Sequence, residues 1–427
     1  MSAPFLYKAY VALTAALVPL AAWHTTSKLR RAGVSVTRAH EKLGHATEER
    51  RGSGPLVWFH AASVGESLSV LALITRMGLA LPQAQFLITS GTATSADLVA
   101  RRLPARTVHQ FAPLDAPGPL KRFLTHWRPD AAIFVESELW PQMLRRTHAS
   151  GARMALVNAR LSAGSIQRWQ KRPRLARYIF EVFTLILTQN DAMAEALVAM
   201  NAPPERVARG SNLKSLSDPL PVDHDTLYEA RAALGHRPVW IASSTHAGEE
   251  ETVLAAHAAL LKRHPDLHLI LAPRHPERSA EVAGLIEAAG LRFTTRSKGE
   301  APGAQVYLAD TMGELGSWYA LGRIVFLGGS LRPIGGHNAY EVAQAGAAIL
   351  SGRHVSNFSE TYAALEDAGA VTFVDDAKSL ADSIARLLDD PAALDAAAGA
   401  AEGFAARQTD KLDSIATRLI AALELAP

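Results

Sequence analysis

Three glutamates stand where a carboxylate could take a proton from a substrate. Glu66 ends the segment Leu56-Val-Trp-Phe-His-Ala-Ala-Ser-Val-Gly-Glu66, in which an apolar run of buried-strand type passes into a polar, glycine-containing stretch. Glu136 and Glu138 follow Ala131-Ala-Ile-Phe-Val135 in the same way, before Pro141 opens a helix. In an open α/β sheet, ligands bind beyond the carboxyl ends of the strands, so both segments aim their acids at the substrate side. Neighbouring carboxylates also separate in pKa, which general acid/base chemistry uses. An acid at this place can equally serve the positive end of the helix that follows, expected over residues 67–80 for Glu66; that alternative stays open for Glu66 and for one of the other two.

A second group of residues suits an anion. Gly328-Gly-Ser330 follows the apolar run 323–327, and Gly335-Gly-His-Asn-Ala-Tyr-Glu341 leads into a helix, where free backbone N–H groups hold phosphate. Pro273-Arg274 ends another apolar run and adds a cation able to form a charge-assisted hydrogen bond. A plain glycine-rich turn is the alternative. The pairs Asp375-Asp376 and Asp389-Asp390 lie beside expected helix ends and read as caps rather than metal ligands. The 16 histidines show no zinc-like spacing, and the absence of cysteine removes thiolate nucleophiles, disulfides and Cys-based metal sites. No metal site and no cofactor is expected.

The elements that must position these residues follow from the apolar rhythm. Short runs at 56–59, 85–89, 107–111, 131–135, 154–157 and 185–188 read as strands with helices between most of them; a second series follows at 239–242, 267–272, 306–308, 323–327, 347–350 and 371–374. Between the two series, Ser217-Asp-Pro-Leu-Pro221 can continue neither element, which marks a boundary between an N-terminal lobe, 33–216, and a C-terminal lobe, 217–427. The alanine-rich tail from 391 to 425 reads as one or two helices of the second lobe. A chain of 427 residues that is 48% hydrophobic can bury the cores of two domains, and a net charge of only +3 gives no general nucleic-acid footprint. Residues 1–32 differ: Phe5 to Trp23 is almost wholly apolar, and Lys28, Arg30, Arg31, Arg38 and Lys42 follow. This pattern reads as a membrane anchor with a basic flank and the body on the cytoplasmic side; a span, a helix lying in the interface and an uncleaved signal all fit its length.

The chain resembles the 3-deoxy-D-manno-octulosonic acid (Kdo) transferases of lipopolysaccharide assembly over nearly its whole length. The resemblance rests on His60-Ala-Ala-Ser-Val-Gly-Glu66, Glu136-Ser-Glu-Leu-Trp-Pro141, Val157-Asn-Ala-Arg-Leu-Ser162, Ser243-Ser-Thr-His-Ala-Gly-Glu249, Ala272-Pro-Arg-His-Pro276, and Gly328-Gly-Ser330 with Gly335-Gly-His-Asn338. It implies an α/β fold of the GT-B class, two Rossmann-like lobes facing a central cleft, with an N-terminal membrane-anchor helix on the cytoplasmic face of the inner membrane. It also implies an inverting transfer of Kdo from CMP-Kdo to a lipid A precursor (lipid IVA), without a metal. By the same resemblance Glu66 is the base, Glu136 stabilises the transition state and Lys214 stands near the leaving phosphate. Pro273, Arg274, Met312, Gly313, Glu314, Asn338, Ala339, Tyr340 and Glu341 would contact cytidine monophosphate. The chain departs from the family's pattern at Gly164, at Ser215-Leu216 and at Ala339-Tyr340, which bears on the acceptor and on how many Kdo units are added. Two rival readings are a GT-B enzyme using a uridine diphosphate sugar and a membrane-tethered relative without catalysis.

Overall fold

The computed structural model describes residues 2–210, 212–213 and 219–426. The chain forms two compact units, one of Met1–Ser217 with Asp410–Pro427 and one of Asp218–Thr409.

The first unit holds a seven-stranded, all-parallel sheet built from β1 (Leu56–His60), β2 (Gln85–Ser90), β3 (Thr107–Phe111), β4 (Ala131–Val135), β5 (Arg153–Ala159), β6 (Leu185–Thr188) and β7 (Val207–Arg209). Its order is β3-β2-β1-β4-β5-β6-β7. Alternation along the strands sorts side chains to the two faces. Val57 and Phe59 pack with Ile74, Met77 and Ile133 on one face, while Leu56 and Trp58 pack with Phe123, Trp127 and Phe180 on the other. With helices over both faces, each strand is buried on both sides, which explains why the sequence shows continuous apolar runs.

The second unit repeats the plan with β8 (Val239–Thr245), β9 (His268–Pro273), β10 (Phe293–Thr295), β11 (Val306–Leu308), β12 (Ile324–Leu327), β13 (Ala348–Ser351) and β14 (Val371–Phe373). The strands are again all parallel, in the order β10-β11-β9-β8-β12-β13-β14. Both sheets reverse the direction of strand progression at one point, between β1 and β4 in the first unit and between β8 and β12 in the second. Ligand crevices of doubly wound sheets open at such points.

The structure differs from the sequence reading in three places. Strands β7 and β10, three residues each, have no counterpart among the expected runs. The helix after β1 is Val64–Ala80, three residues earlier than expected, so Glu66 sits in its first turn rather than in a loop. The tail, expected as one or two helices, is one helix of 32 residues, Pro391–Ala422. Its last part departs from the expected second lobe: Leu412, Ile415 and Leu419 join the core of the first unit, whereas Phe404 and Ala405 belong to that of the second. The body of the first unit starts well before β1, within the expected lobe of 33–216: Glu41 is fully buried and its carboxylate accepts a hydrogen bond from Phe111 N–H at 2.7 Å. The N-terminal helix, Phe5–Arg31, is long and apolar enough to cross a membrane, with a mean hydropathy of 1.6 in its most apolar stretch.

Candidate active site

Glu66 is fixed by its own helix terminus. Ser63 leaves β1 in an extended conformation and caps the helix, its Oγ accepting from Glu66 N–H at 3.3 Å. The Glu66 carboxylate reaches back, Oε1 accepting from the Ser63 hydroxyl and Oε2 from Ala62 N–H, both at 2.9 Å. This is the reciprocal arrangement of a capping box, shifted by one residue on the backbone side. The helix-terminus role is therefore real, and it holds both oxygens in place. Burial raises the pKa of Glu66 above the usual carboxylate range, the negative charges of Glu138 and Glu136 add to the rise, and the hydrogen bonds from Ser63 and Ala62 oppose it.

The other two carboxylates come from the neighbouring strand across the reversal point. Glu136 follows β4 directly with a left-handed backbone, φ +54°, and its N–H donates to Val157 O at 3.0 Å. Asn158, also left-handed at φ +55°, donates from Nδ2 to Glu136 Oε1 at 3.2 Å. The β5–β6 register slips between Leu156 and Ala159 to accommodate Asn158. A left-handed glutamate costs about 1–2 kcal/mol relative to ordinary backbone, a strain of the kind that clusters at functional sites. Glu138 receives the Trp140 indole N–H at 2.6 Å and lies 3.3 Å from His60 Nε2. Burial works against its charge, but hydrogen bonding and charge from His60, with the Trp140 N–H, outweigh that and hold its pKa below the usual range. His60 is itself oriented through Nδ1, 2.9 Å from Thr89 Oγ1, a hydroxyl that also accepts from Trp58 Nε1.

The environments thus push Glu66 up and Glu138 down, a separation of the kind that general acid/base chemistry uses. His60, Ser63 and Asn158 were not among the expected site residues, although all stand inside the motif segments, and Glu138 was a candidate acid without an assigned role. Lys214 lies outside the described residues. Leu213 N–H donates to Asn158 Oδ1 at 3.2 Å, which ties the residue before it to the Glu136 partner. A concavity of about 820 Å³ between Arg128, Asp130, Arg153 and Glu424 opens at the amino ends of β1, β4 and β5, the edge opposite to this chemistry.

In the second unit the expected anion machinery is partly occupied by the protein itself. Glu249 is fully buried, and its carboxylate accepts four backbone N–H groups: His246 at 3.0 Å, Gly329 at 2.6 Å, and Ser330 and Leu331 at 2.9 Å each. Of the Gly328-Gly-Ser330 amides assigned to phosphate, those of Gly329 and Ser330 are consumed by this internal anion and that of Gly328 by Ser243 O at 2.8 Å. Gly336 N–H is likewise taken by Gly329 O at 2.8 Å, and Asn338 caps the short helix Ala339–Gln344 through Tyr340 N–H. Gly328 is required for packing, because a Cβ there would lie 2.6 Å from Ser244 O. Ala339 and Tyr340 are buried in the core, with the Tyr340 hydroxyl 3.4 Å from Ala405 O, so neither offers a side chain to a nucleotide. Asn338 and Glu341 are half-exposed and lie 3.5 Å apart. Glu314 is held by Arg296 at 2.6–3.2 Å and by the Thr311 hydroxyl, beside an exposed Met312 and a left-handed Gly313.

Cationic and imidazole groups surround what remains. Arg274 leaves the end of β9, after the buried Pro273, with its guanidinium exposed and its N–H bonded to Thr245 O. His246 Nε2 lies 2.9 Å from His337 Nε2, the rings nearly parallel, and His275 meets His246 edge-on at 5.5 Å. Such a nitrogen pair needs one proton between them. Burial lowers the His337 pKa to about 4, helped by the adjacent His246, Arg274 and His275. This cluster, which unites residues 91 apart in sequence, was missed in reading the histidines as scattered. Among the described residues no group of three His, Asp or Glu is arranged to hold a metal ion. Asp376 and Asp390 cap helices and Asp389 pairs with Arg263.

A family model described as 3-deoxy-D-manno-octulosonic-acid transferase (kdotransferase) matches residues 37–216. The Arabidopsis thaliana protein named "Probable 3-deoxy-D-manno-octulosonic acid transferase, mitochondrial" is 33% identical over 402 residues, covering 92% of this chain and 90% of that one. The chain belongs to the Kdo transferase family. A Haemophilus influenzae 3-deoxy-D-manno-octulosonic acid transferase, 33% identical, covers 78% of each chain. The family assignment makes the chain a glycosyltransferase of lipopolysaccharide synthesis. Among solved structures, UDP-GlcNAc 2-epimerase from Neisseria meningitidis superposes with a TM-score of 0.52 at 14% identity, covering 84% of this chain and 99% of that one, a likeness of fold alone. The transferase assignment therefore rests on sequence, and the α/β architecture of two parallel sheets is what the family shares with such epimerases.

Proposed function

We propose that the chain is an inverting transferase that moves Kdo from CMP-Kdo to a lipid A precursor, lipid IVA, at the cytoplasmic face of an inner membrane. Glu66 takes the proton from the attacking hydroxyl as that oxygen bonds to the anomeric carbon. The bond from this carbon to the phosphate oxygen breaks, and cytidine monophosphate leaves with the electron pair. The observation that carries the reading is the pair of opposed carboxylates, Glu66 raised and Glu138 lowered, at the strand-order reversal of the first unit in a member of this family.

Glu136 and Lys214 stabilise developing charge, by resemblance to the family. On the donor side, Arg274 compensates the charge of the leaving phosphate without a metal ion, and the imidazoles of His246, His275 and His337 beside it supply hydrogen bonds. Asn338, Glu341, Met312, Gly313 and Pro273 line the nucleotide through backbone or exposed atoms, while Glu314 acts through the Arg296 pair. The test is donor competition: cytidine monophosphate should inhibit transfer and uridine diphosphate should not. Inhibition by uridine diphosphate alone would favour a UDP-sugar enzyme on the same fold.

A further inference from the structure

The N-terminal helix is not free of the body it precedes. Tyr7, Tyr10, Thr14, Val18, Ala21, Thr25 and Leu29 recur every three or four residues, and every one of them is partly or fully covered. The Tyr10 hydroxyl donates to Asp115 Oδ2 at 2.7 Å, and Gln142 Nε2 donates to Thr14 Oγ1 at 2.6 Å. Tyr7 meets Tyr178 edge-on at 5.1 Å, and Leu29 is buried with Ala39, Ala96 and Phe111. The contacts thus tie the first three turns and the last turn of the helix to the first unit. Tyr10 and Thr14 lie inside the apolar stretch, at depths where a crossing helix would give their partners up to hydrocarbon, which leaves polar groups unsatisfied.

The opposite side is apolar and uncovered: Phe5, Leu6, Leu13, Leu17, Leu20 and Trp23 are 47–80% exposed. We propose that this helix lies docked along the first unit in the plane of the membrane, with that outer side sunk into one leaflet of an anionic bilayer and both helix ends on the same side of it. Charge complementarity selects the occupant. Lys8, Lys28, Arg30 and Arg31 are exposed on the helix itself, and the helix Pro173–Phe180 that Tyr7 reaches through Tyr178 is preceded and opened by exposed Lys171, Arg172 and Arg174.

The inference rests on the membrane reading, and its test distinguishes the two. Because the chain has no cysteine, full-length Ser2→Cys and Ser53→Cys variants each carry a single thiol. Inverted inner-membrane vesicles from cells making each variant are treated with a membrane-impermeant maleimide, before and after detergent. Docking predicts that Ser2→Cys reacts before detergent to the same extent as Ser53→Cys, an exposed site on the first unit. A Ser2→Cys thiol protected until detergent, on vesicles that still carry the protein, would overturn docking and establish a span, leaving membrane association intact. Failure of either variant to float with vesicles would overturn both. Purified chain should also float with phosphatidylglycerol vesicles more than with phosphatidylcholine vesicles, and equal flotation would overturn the anionic part.

Discussion

Glu66→Gln separates the two roles of that residue by the size of their effects. Glutamine can keep its carbonyl oxygen on Ala62 N–H and turn its amide toward Ser63 Oγ, both of which the carboxylate contacts at 2.9 Å. What is lost is the charge: about 1 kcal/mol where charge-assisted hydrogen bonds become neutral ones, and about 0.3–1 kcal/mol against the helix terminus. Relief of burial and of repulsion from Glu138 and Glu136 offsets this, so stability should change by no more than about 1 kcal/mol. Losing a general base instead slows turnover by roughly 10²–10⁴-fold, about 2.7–5.5 kcal/mol in the barrier. Initial rates at saturating donor and acceptor, beside a urea midpoint, measure both quantities. Wild-type turnover in a folded Glu66→Gln variant would reduce Glu66 to a cap and refute the reasoning.

Four further outcomes follow from the same geometry. Turnover should rise with pH through the raised pKa of Glu66; Glu138→Gln, which removes a like charge, should move that limb to lower pH, and Ser63→Ala, which removes a bond to the ionised form, to higher pH. Shifts in the same direction would show that another group titrates. Arg274→Ala should weaken cytidine monophosphate binding by about 1.5–3 kcal/mol in titration calorimetry, the range for a charge-assisted hydrogen bond, and an unchanged affinity would remove Arg274 from the donor site. Glu249→Gln leaves some of four backbone donors unpaired and should lower the unfolding free energy by at least about 2 kcal/mol, read from urea denaturation; full stability would mean that water replaces the carboxylate. His257 and His268 are buried, each with its pKa lowered from 6.5 to about 4. A depressed histidine contributes stability that is complete above about pH 6.5 and is lost as pH falls toward 4, so a flat urea midpoint between pH 7 and 4.5 would contradict their burial in the neutral form.

Strand positions were legible because both sheets are parallel and covered on both faces, so that Val57, Trp58 and Phe59 form an unbroken apolar run. The edge strands Val207–Arg209 and Phe293–Thr295 were not, because three residues are too few to carry a periodicity. The cap alternative at Glu66 is what the hydrogen bonds show, and the same cap geometry holds in place the carboxylate proposed as the base. The Gly328-Gly-Ser330 amides resembled a free phosphate cradle because the Glu249 that fills it comes from a loop 80 residues earlier, a pairing set by strand order alone. The His246–His337 contact was hidden for the same reason. Tyr340 entered the nucleotide set by resemblance, and only packing against Ala405 reveals it as core. The last turns of the C-terminal helix carry alanine and leucine that would suit either unit, and the sequence gives no sign that they join the first.

The central claim is most directly tested by mass spectrometry of the lipid after the full-length chain is incubated with CMP-Kdo and a tetraacylated lipid A precursor in excess EDTA. The account predicts a lipid heavier by one or more Kdo residues, formed with release of cytidine monophosphate, and no such product from the Glu66→Gln variant over the same interval. An unmodified lipid from a folded chain, a product formed only when magnesium or manganese is restored, or equal product from Glu66→Gln would contradict it.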